Sequence, residues 1–350
     1  RDAQESRGLG DVYKRQDIGI DLGTANILVY VKGKGTVLNE PSVVAVEKKT
    51  NKILAVGSEA REMLGRTPHG IVAVRPLREG VIANYTITQK MLEYLIHKVA
   101  GKSFFFRPRV MTCIPVNITS VEKRAVLEAT IQAGVSKTYL IEEPLAAALG
   151  AGLDIMVPSG KMVVDIGGGT TDIAILSLGG VVDSDSVRIG GDKFNEAIVR
   201  YVKKEYNCLI GETLAEKVKI DVGNVDPDAV PKSMDMTAQN TVNGMPVSLT
   251  LTSKDVREAL QEPLDSLFGR IRSVLEKCPP ELSADIVENG ICLTGGGALL
   301  GGLAHMLSKN TGIKVIVAEN PLDCVAVGTG KALENLDKLR PGTVFSNAMF

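Results

Sequence analysis

The stretch Val163-Val164-Asp165-Ile166-Gly167-Gly168-Gly169-Thr170-Thr171-Asp172 decides how the chain is read. Two β-branched residues lead into an aspartate. Three glycines, two hydroxyls and a second acid follow, and Ile173-Ala174-Ile175-Leu176 resumes an apolar run. The pattern predicts a β-hairpin with a glycine tip. Without Cβ atoms in the way, the backbone N–H groups of such a tip can approach an anion closely. The neighbouring carboxylate suits a divalent cation rather than the phosphate itself. Taken alone, the stretch is either a phosphate loop or merely a tight turn.

Working outward, the same design recurs near the start. Ile18-Gly19-Ile20-Asp21-Leu22-Gly23-Thr24-Ala25-Asn26-Ile27-Leu28-Val29-Tyr30 has an apolar lead, an aspartate, a glycine, a hydroxyl and an apolar return. The two copies lie too far apart for a solenoid repeat. They predict two homologous halves, each offering one hairpin to a shared ligand. A third glycine run, Thr294-Gly295-Gly296-Gly297-Ala298-Leu299-Leu300, follows a strand-like stretch and is read as opening a helix. Such a turn can hold a phosphate or let a flat base approach the backbone.

Between these runs lie the other candidates. Glu142-Glu143-Pro144 opens a helix rich in small residues, with proline favourable in its first turn. Either one acid is catalytic and the other a cap, or both are caps. Gly190-Gly191-Asp192 is a turn into a helix running toward Lys204. In the helix 211–219, Glu216 and Lys219 stand one turn apart, a spacing that most often marks a solvated face. Thr119-Ser120-Val121-Glu122 is a capping box for a helix through Ala133. Residues 254–277 read as helical with a break near Pro263. The residues after Arg340 read as a frayed tail. Three of the seven phenylalanines, Phe104, Phe105 and Phe106, stand together between basic residues. They suit either an apolar tip entering an anionic bilayer surface or rings packed on the preceding helix.

Bulk composition narrows the classes. At 44% hydrophobic and 23% charged, the chain has the make-up of a globular protein. A net charge of −1 supplies no field to draw it to nucleic acid. Its five cysteines (113, 208, 278, 292, 324) include no CxxC pair, so neither a disulfide framework nor a zinc site is indicated, and a reducing cytoplasm fits. No 18-residue apolar run and no signal peptide is seen. Residues 1–16, RDAQESRGLGDVYKRQ, are set aside as a foreign leader or a disordered tail.

Two Asp-Gly-Thr hairpins, a Glu-Pro helix start, a Gly-Gly-Asp turn, a Glu-Lys helix and a late Gly-Gly-Gly-Ala turn together resemble the actin, heat-shock-chaperone and sugar-kinase ATPase superfamily. The longer strings DIGIDLGTAN, NEPSVVA, MVVDIGGGTTDIAI, LTGGGALL and PLDCVA-GTGKALE resemble, more closely, the MreB/Mbl family of bacterial actins, over about residues 17–340.

That resemblance implies an α/β, actin-like two-lobed ATPase fold with duplicated RNase H-like cores, each carrying a small inserted subdomain. The first core would take 17–41 and 72–157, with 42–71 inserted. The second would take 158–191 and 252–340, with 192–251 inserted and 341–350 as tail. It implies ATP/ADP and Mg²⁺ as cofactors. Gly23, Thr24 and Ala25 would form the first phosphate loop, and Gly168, Gly169 and Thr170 the second. Glu216, Lys217, Val218 and Lys219 would contact ribose and adenine. Gly296, Gly297, Ala298 and Leu299 would line the adenosine pocket. Asp21 and Asp165 would hold Mg²⁺, largely through water. Glu143 would position the attacking water, with Thr170 beside the γ-phosphate. Beyond hydrolysis, the resemblance implies self-assembly into antiparallel double protofilaments on the inner face of the cytoplasmic membrane, with Phe105-Phe106 at a membrane-insertion loop. The implied partners are transmembrane morphogenesis proteins and cell-wall synthesis enzymes, and the implied outcome is wall elongation and rod shape. A chaperone ATPase and a small-molecule kinase are the alternatives within the superfamily.

Overall fold

A computed structural model describes residues 16–100, 107–337, 339–340 and 342–346. The chain divides into two compact units. The first takes described residues up to Met156, Leu178–Gly180, and those from Asp323 onward; the second takes Val157–Ser177 and Val181–Leu322.

In the first unit, the described residues form a six-stranded sheet. Its order is Val344–Ser346, Lys137–Glu142, Arg109–Ile114, Asp17–Leu22, Asn26–Val31, Gly35–Pro41. Asp17–Leu22 pairs antiparallel with Asn26–Val31, which makes the first hairpin, and parallel with Arg109–Ile114. Arg109–Ile114 in turn runs parallel to Lys137–Glu142. Three parallel strands therefore end side by side, at Leu22, Ile114 and Glu142. Crevices beyond the carboxyl ends of parallel strands are where α/β sheets bind ligands. A three-stranded sheet (Ile53–Val56, Val44–Glu47, Ile71–Val74) with the helix Ser58–Glu62 forms the small insertion that the short β-type runs suggested.

The second unit repeats the plan. Its described residues form a five-stranded sheet ordered Gly180–Val187, Thr171–Ser177, Lys161–Ile166, Ile291–Thr294, Val315–Val317. Lys161–Ile166 pairs antiparallel with Thr171–Ser177 and parallel with Ile291–Thr294. Asp165 and Asp172 face each other across this hairpin. The insertion here is the sheet Cys208–Leu209, Ser233–Asn240, Pro246–Thr252. Each unit has its own apolar core: Ile18, Ile20, Leu92, Leu95, Val110 and Leu140 belong to one, and Val164, Ile175, Phe194, Leu267 and Leu293 to the other. Central strands buried on both faces explain why they read as continuous apolar runs instead of alternating ones.

Local signals explain several boundaries. Thr119 accepts from the Glu122 backbone while Glu122 reaches back, so the capping box starts the helix Ser120–Gln132 as expected. A second capping box, Thr252 with Asp255, starts the helix Ser253–Glu276.

Four expectations need correction. Pro263 does not break that helix, which runs unbroken from Ser253 to Glu276. Leu260, Leu264, Leu267 and Ile271 bury one continuous stripe, and that tertiary packing outweighs the lost backbone bond. The residues after Arg340 are not wholly frayed: Val344–Ser346 pairs antiparallel with Tyr139–Ile141. The helix Cys324–Glu334 packs in the first unit, against the helix Glu143–Gly150 and the first strand, and not with 252–340. Finally, Gln16, set aside with the leader, accepts a backbone bond from Arg109.

Candidate functional site

In the first unit the turn between Leu22 and Asn26 carries Gly23, Thr24 and Ala25. A Cβ at Gly23 would stand 2.6 Å from the Asn26 carbonyl, so only glycine fits this turn without a shift. The turn is pinned from outside. Ser42 Oγ donates to Gly23 O at 2.5 Å, the Ser42 N–H donates to Ala25 O at 2.9 Å, and the Gly80 N–H donates to Thr24 Oγ1 at 3.0 Å. Two segments distant in sequence thus fix the loop's shape; Ser42 lies in the NEPSVVA string, but nothing in that string marked it as a partner of the loop, and Gly80 carried no motif signal.

Asp21 sits at the end of the central strand, largely enclosed but with part of its surface open. Burial pushes its carboxyl up to about 6, and a hydrogen bond from Cys113 partly offsets that shift. Glu143 begins the helix Glu143–Gly150, half-buried, immediately after the strand Lys137–Glu142. Glu142 is the residue preceding the helix, and its side chain makes no capping hydrogen bond. The reading of both acids as caps therefore lapses. Cys113 stands between the acids: Sγ donates to Asp21 Oδ1 at 3.2 Å and lies 4.0 Å from Glu143 Oε1.

The raised Asp21 carboxyl has a stability consequence. Between its ordinary value near 3.8 and about 6, the folded chain binds more protons at this position than the unfolded chain does. Its contribution to stability is therefore full below 3.8 and is lost as pH rises through about 6. In nucleotide-free protein, Asp21→Asn is expected to raise Tm by about 2–4 °C at pH 7.5, the shift that ~1 kcal/mol gives a domain of this size. The gain should grow from pH 4 to 6 and level off above. Calorimetry across pH checks it; a Tm lowered at pH 7.5 contradicts the burial penalty.

In the second unit the tip Gly167-Gly168-Gly169-Thr170 is closed by a bond from the Gly167 N–H to Thr170 O at 2.9 Å. Gly191 N–H donates to Gly167 O at 3.0 Å and Asp192 N–H to Gly168 O at 2.8 Å. A Cβ at Gly190 would meet those same carbonyl oxygens at 2.6 and 2.7 Å. The Gly190-Gly191 turn is therefore glycine so that it can lie directly on the phosphate loop. Asp165 is buried at the strand end, and Thr294 Oγ1 donates to its Oδ1 at 2.6 Å. That bond orients one carboxylate oxygen and was not foreseen.

The helix Glu212–Asp221 aims Lys219 back at this turn, Nζ donating to Gly191 O at 3.0 Å. Glu216 is half-exposed and Lys217 exposed, but Val218 is fully buried in the core. Val218 therefore has no surface to offer a nucleotide, and its expected contact role is withdrawn. Gly295 and Gly297 pack on Ile166, the last residue before the phosphate loop. The run continues as a 3-10 turn, Gly296–Leu299, and the α-helix begins only at Leu303. The expected α-helical N-terminus is thus absent there, and close approach of a flat group to backbone is the chemistry that remains. Ala298 is buried and Leu299 exposed. The loop, the Gly190-Gly191 turn, Lys219 and the glycine run are connected by direct contacts within one unit. Phe104, Phe105 and Phe106 lie outside the described residues.

The duplicated sheet with an acid-tipped glycine hairpin at each centre defines an actin-like fold. The sequence profile of the MreB/Mbl protein family matches residues 15–341. Over 93% of its length the chain is 54% identical to the cell shape-determining protein Mbl of Bacillus subtilis (strain 168), covering 97% of that protein. It is 51% identical to the cell shape-determining protein MreB of Escherichia coli (strain K12), over 94% of this chain and 96% of that one. Crystal structures of MreB5 of Spiroplasma citri bound to AMPPNP and to ADP superpose with a TM-score of 0.88 each, at 35% and 36% identity. Both cover 93% of this chain, and 97% and 98% of theirs. The chain belongs to the MreB/Mbl family.

Proposed function

We propose that this chain binds ATP with Mg²⁺, hydrolyses it, and assembles with copies of itself into filaments on the inner face of the cell membrane. There it would direct wall elongation and rod shape together with transmembrane morphogenesis proteins and wall-synthesis enzymes. The observation that carries the reading is the duplicated glycine hairpin, each copy tipped by an acid at the end of a parallel strand pair. The names of the Mbl and MreB relatives support the cellular role, and nucleotide-bound MreB5 supports the ligand. The proposed self-assembly is as antiparallel double protofilaments.

The donor chemistry fits the cation. Asp21 and Asp165 offer hard oxygens, and among the described residues no group of three or more His, Cys, Asp or Glu could cage a metal. Mg²⁺ characteristically takes one or two carboxylates and keeps its remaining positions for water and phosphate. When bound it would neutralise charge on the β- and γ-phosphates. The chain's own residues would do the rest. Backbone N–H groups of Gly23–Ala25 and Gly168–Thr170 cradle phosphate oxygens. Thr294 holds the Asp165 carboxylate in one orientation. Glu143 accepts a hydrogen bond from the attacking water and aims it, with Thr170 beside the γ-phosphate. Positioning and charge stabilisation are most of what phosphoryl transfer requires.

The test is light scattering and pelleting with ATP, ADP or EDTA, with and without hexose. ATP-dependent polymer with no phosphorylated hexose is expected. Hexose phosphorylation without polymer would instead identify a kinase. Membrane attachment is tested separately. No helix among the described residues is long and apolar enough to cross a membrane. Attachment is proposed at Phe104-Phe105-Phe106, the apolar run between basic residues. Changing all three to Ser is expected to reduce co-pelleting with anionic liposomes about tenfold or more while polymerisation persists, since each ring buries large apolar area. Undiminished co-pelleting would place the anchor elsewhere.

A further inference from the structure

We infer that Cys113 is a positioning residue for hydrolysis, its thiol bridging the carboxylates of Asp21 and Glu143. The inference rests on the ATPase reading above and adds a residue that the reading does not use. Its basis is the register of the first sheet. Arg109–Ile114 lies between Asp17–Leu22 and Lys137–Glu142 and runs parallel to both. Ile20 pairs with Thr112 and Ile141 with Cys113, so Cys113 is level with Asp21 on one side and Ile141 on the other. Glu143 follows two residues after Ile141. It is the first residue of the helix that leaves the end of the strand Lys137–Glu142, next to the end of Arg109–Ile114. The three side chains therefore converge beyond the carboxyl ends of three parallel strands, with Sγ 3.2 Å from Asp21 Oδ1 and 4.0 Å from Glu143 Oε1.

Two acids brought toward one crevice repel each other. A neutral donor between them changes this. Cys113 is buried, and a neutral thiol carries one S–H donor. A weak donor in a buried, low-dielectric setting is worth more than it is in water. The short contact is to Asp21 at 3.2 Å, and Glu143 at 4.0 Å is the longer, weaker acceptor for the same proton. In this arrangement the group proposed to hold the cation's water shell and the group proposed to aim the attacking water share one orienting contact. A second-layer partner of this kind typically carries about 10–100-fold in metal affinity or activity.

Packing and donation make opposite predictions here. If Cys113 only fills space in an apolar strand, Val should serve better than Ser. If it donates, Ser should serve better than Val. Single-turnover phosphate release is measured for Cys113→Ser, Cys113→Val and Glu143→Ala in the full chain, with nucleotide affinity, Mg²⁺ half-saturation and Tm alongside. Expected results are release within about threefold of wild type for Ser, and about tenfold slower release with a raised Mg²⁺ requirement for Val at unchanged Tm. If Val lowers Tm, Cys113→Ala removes the donor without added bulk and takes its place. Val or Ala hydrolysing like wild type, while Glu143→Ala is impaired, overturns the role of Cys113 and leaves the ATPase reading standing. Glu143→Ala hydrolysing like wild type overturns the ATPase reading itself, and the inference with it.

Discussion

Glu143→Ala is expected to slow single-turnover phosphate release about 10²-fold, close to 2.7 kcal/mol of barrier, with nucleotide affinity within about threefold of wild type. The reasons are local. Glu143 starts its helix beside a proline, directly after a buried strand, so its backbone is fixed on both sides. The acid before it makes no side-chain cap, which leaves Glu143 as the acid in contact with the Cys113 thiol and, through it, with Asp21. Binding should survive because the phosphate loops are made of backbone N–H groups, which the substitution does not touch. Glu143→Gln should fall between wild type and Ala, since its amide oxygen still accepts a hydrogen bond from water. If Gln is as poor as Ala, the carboxylate takes a proton and does more than aim the water. Filaments of the Ala variant should persist longer after assembly, which dilution and turbidity decay would show.

How much of this was legible beforehand depends on the kind of contact. The two hairpins were readable because glycine at a close approach is a local demand, written at Gly23 and at Gly167–Gly169. The small insertions and the capping box at Thr119 were equally local. The resemblance supplied the pairing of roles: Glu216 and Lys219 alone looked like an ordinary solvated helix face. What the sequence could not show was mostly set by register between distant strands. Ser42 on the first loop, Thr294 on Asp165 and Cys113 between Asp21 and Glu143 each join residues separated by 19 to 129 positions. No spacing rule marks such pairs. Pro263 misled for a related reason, since a helix buried along one stripe tolerates a proline that an isolated helix would not. Val218 misled because a contiguous four-residue segment of helix cannot turn every side chain toward one ligand.

The helix carrying Glu143 depends on a backbone contact that makes Gly328→Val the most damaging structural change expected. Gly328 lies inside the helix Cys324–Glu334, where glycine ordinarily costs about 1 kcal/mol relative to alanine. Its presence is explained by geometry: a Cβ there would collide with the backbone carbonyl of Ala146. Gly150 meets the Cys324 carbonyl in the same way from the opposite helix. The two helices therefore cross in backbone contact within the first unit, and no rotamer change can relieve an added side chain. Gly328→Ala is expected to cost about 3 kcal/mol, at the upper end of overpacking, and Gly328→Val more, enough to deplete the folded protein. The matched control is Gly269→Ala in the helix Ser253–Glu276, where glycine is exposed and nothing lies within 4 Å of an added Cβ. That change should stabilise by about 0.5–1 kcal/mol through helix propensity alone. Urea denaturation of the two alanine variants should thus move in opposite directions for one and the same substitution. Because the helix Glu143–Gly150 must shift to admit the new methyl, whatever Gly328→Ala protein folds should also hydrolyse more slowly, with its nucleotide affinity the less affected quantity. Equal midpoints for Gly328→Ala and wild type would mean that the helices part freely, and that Glu143 is held by its strand alone.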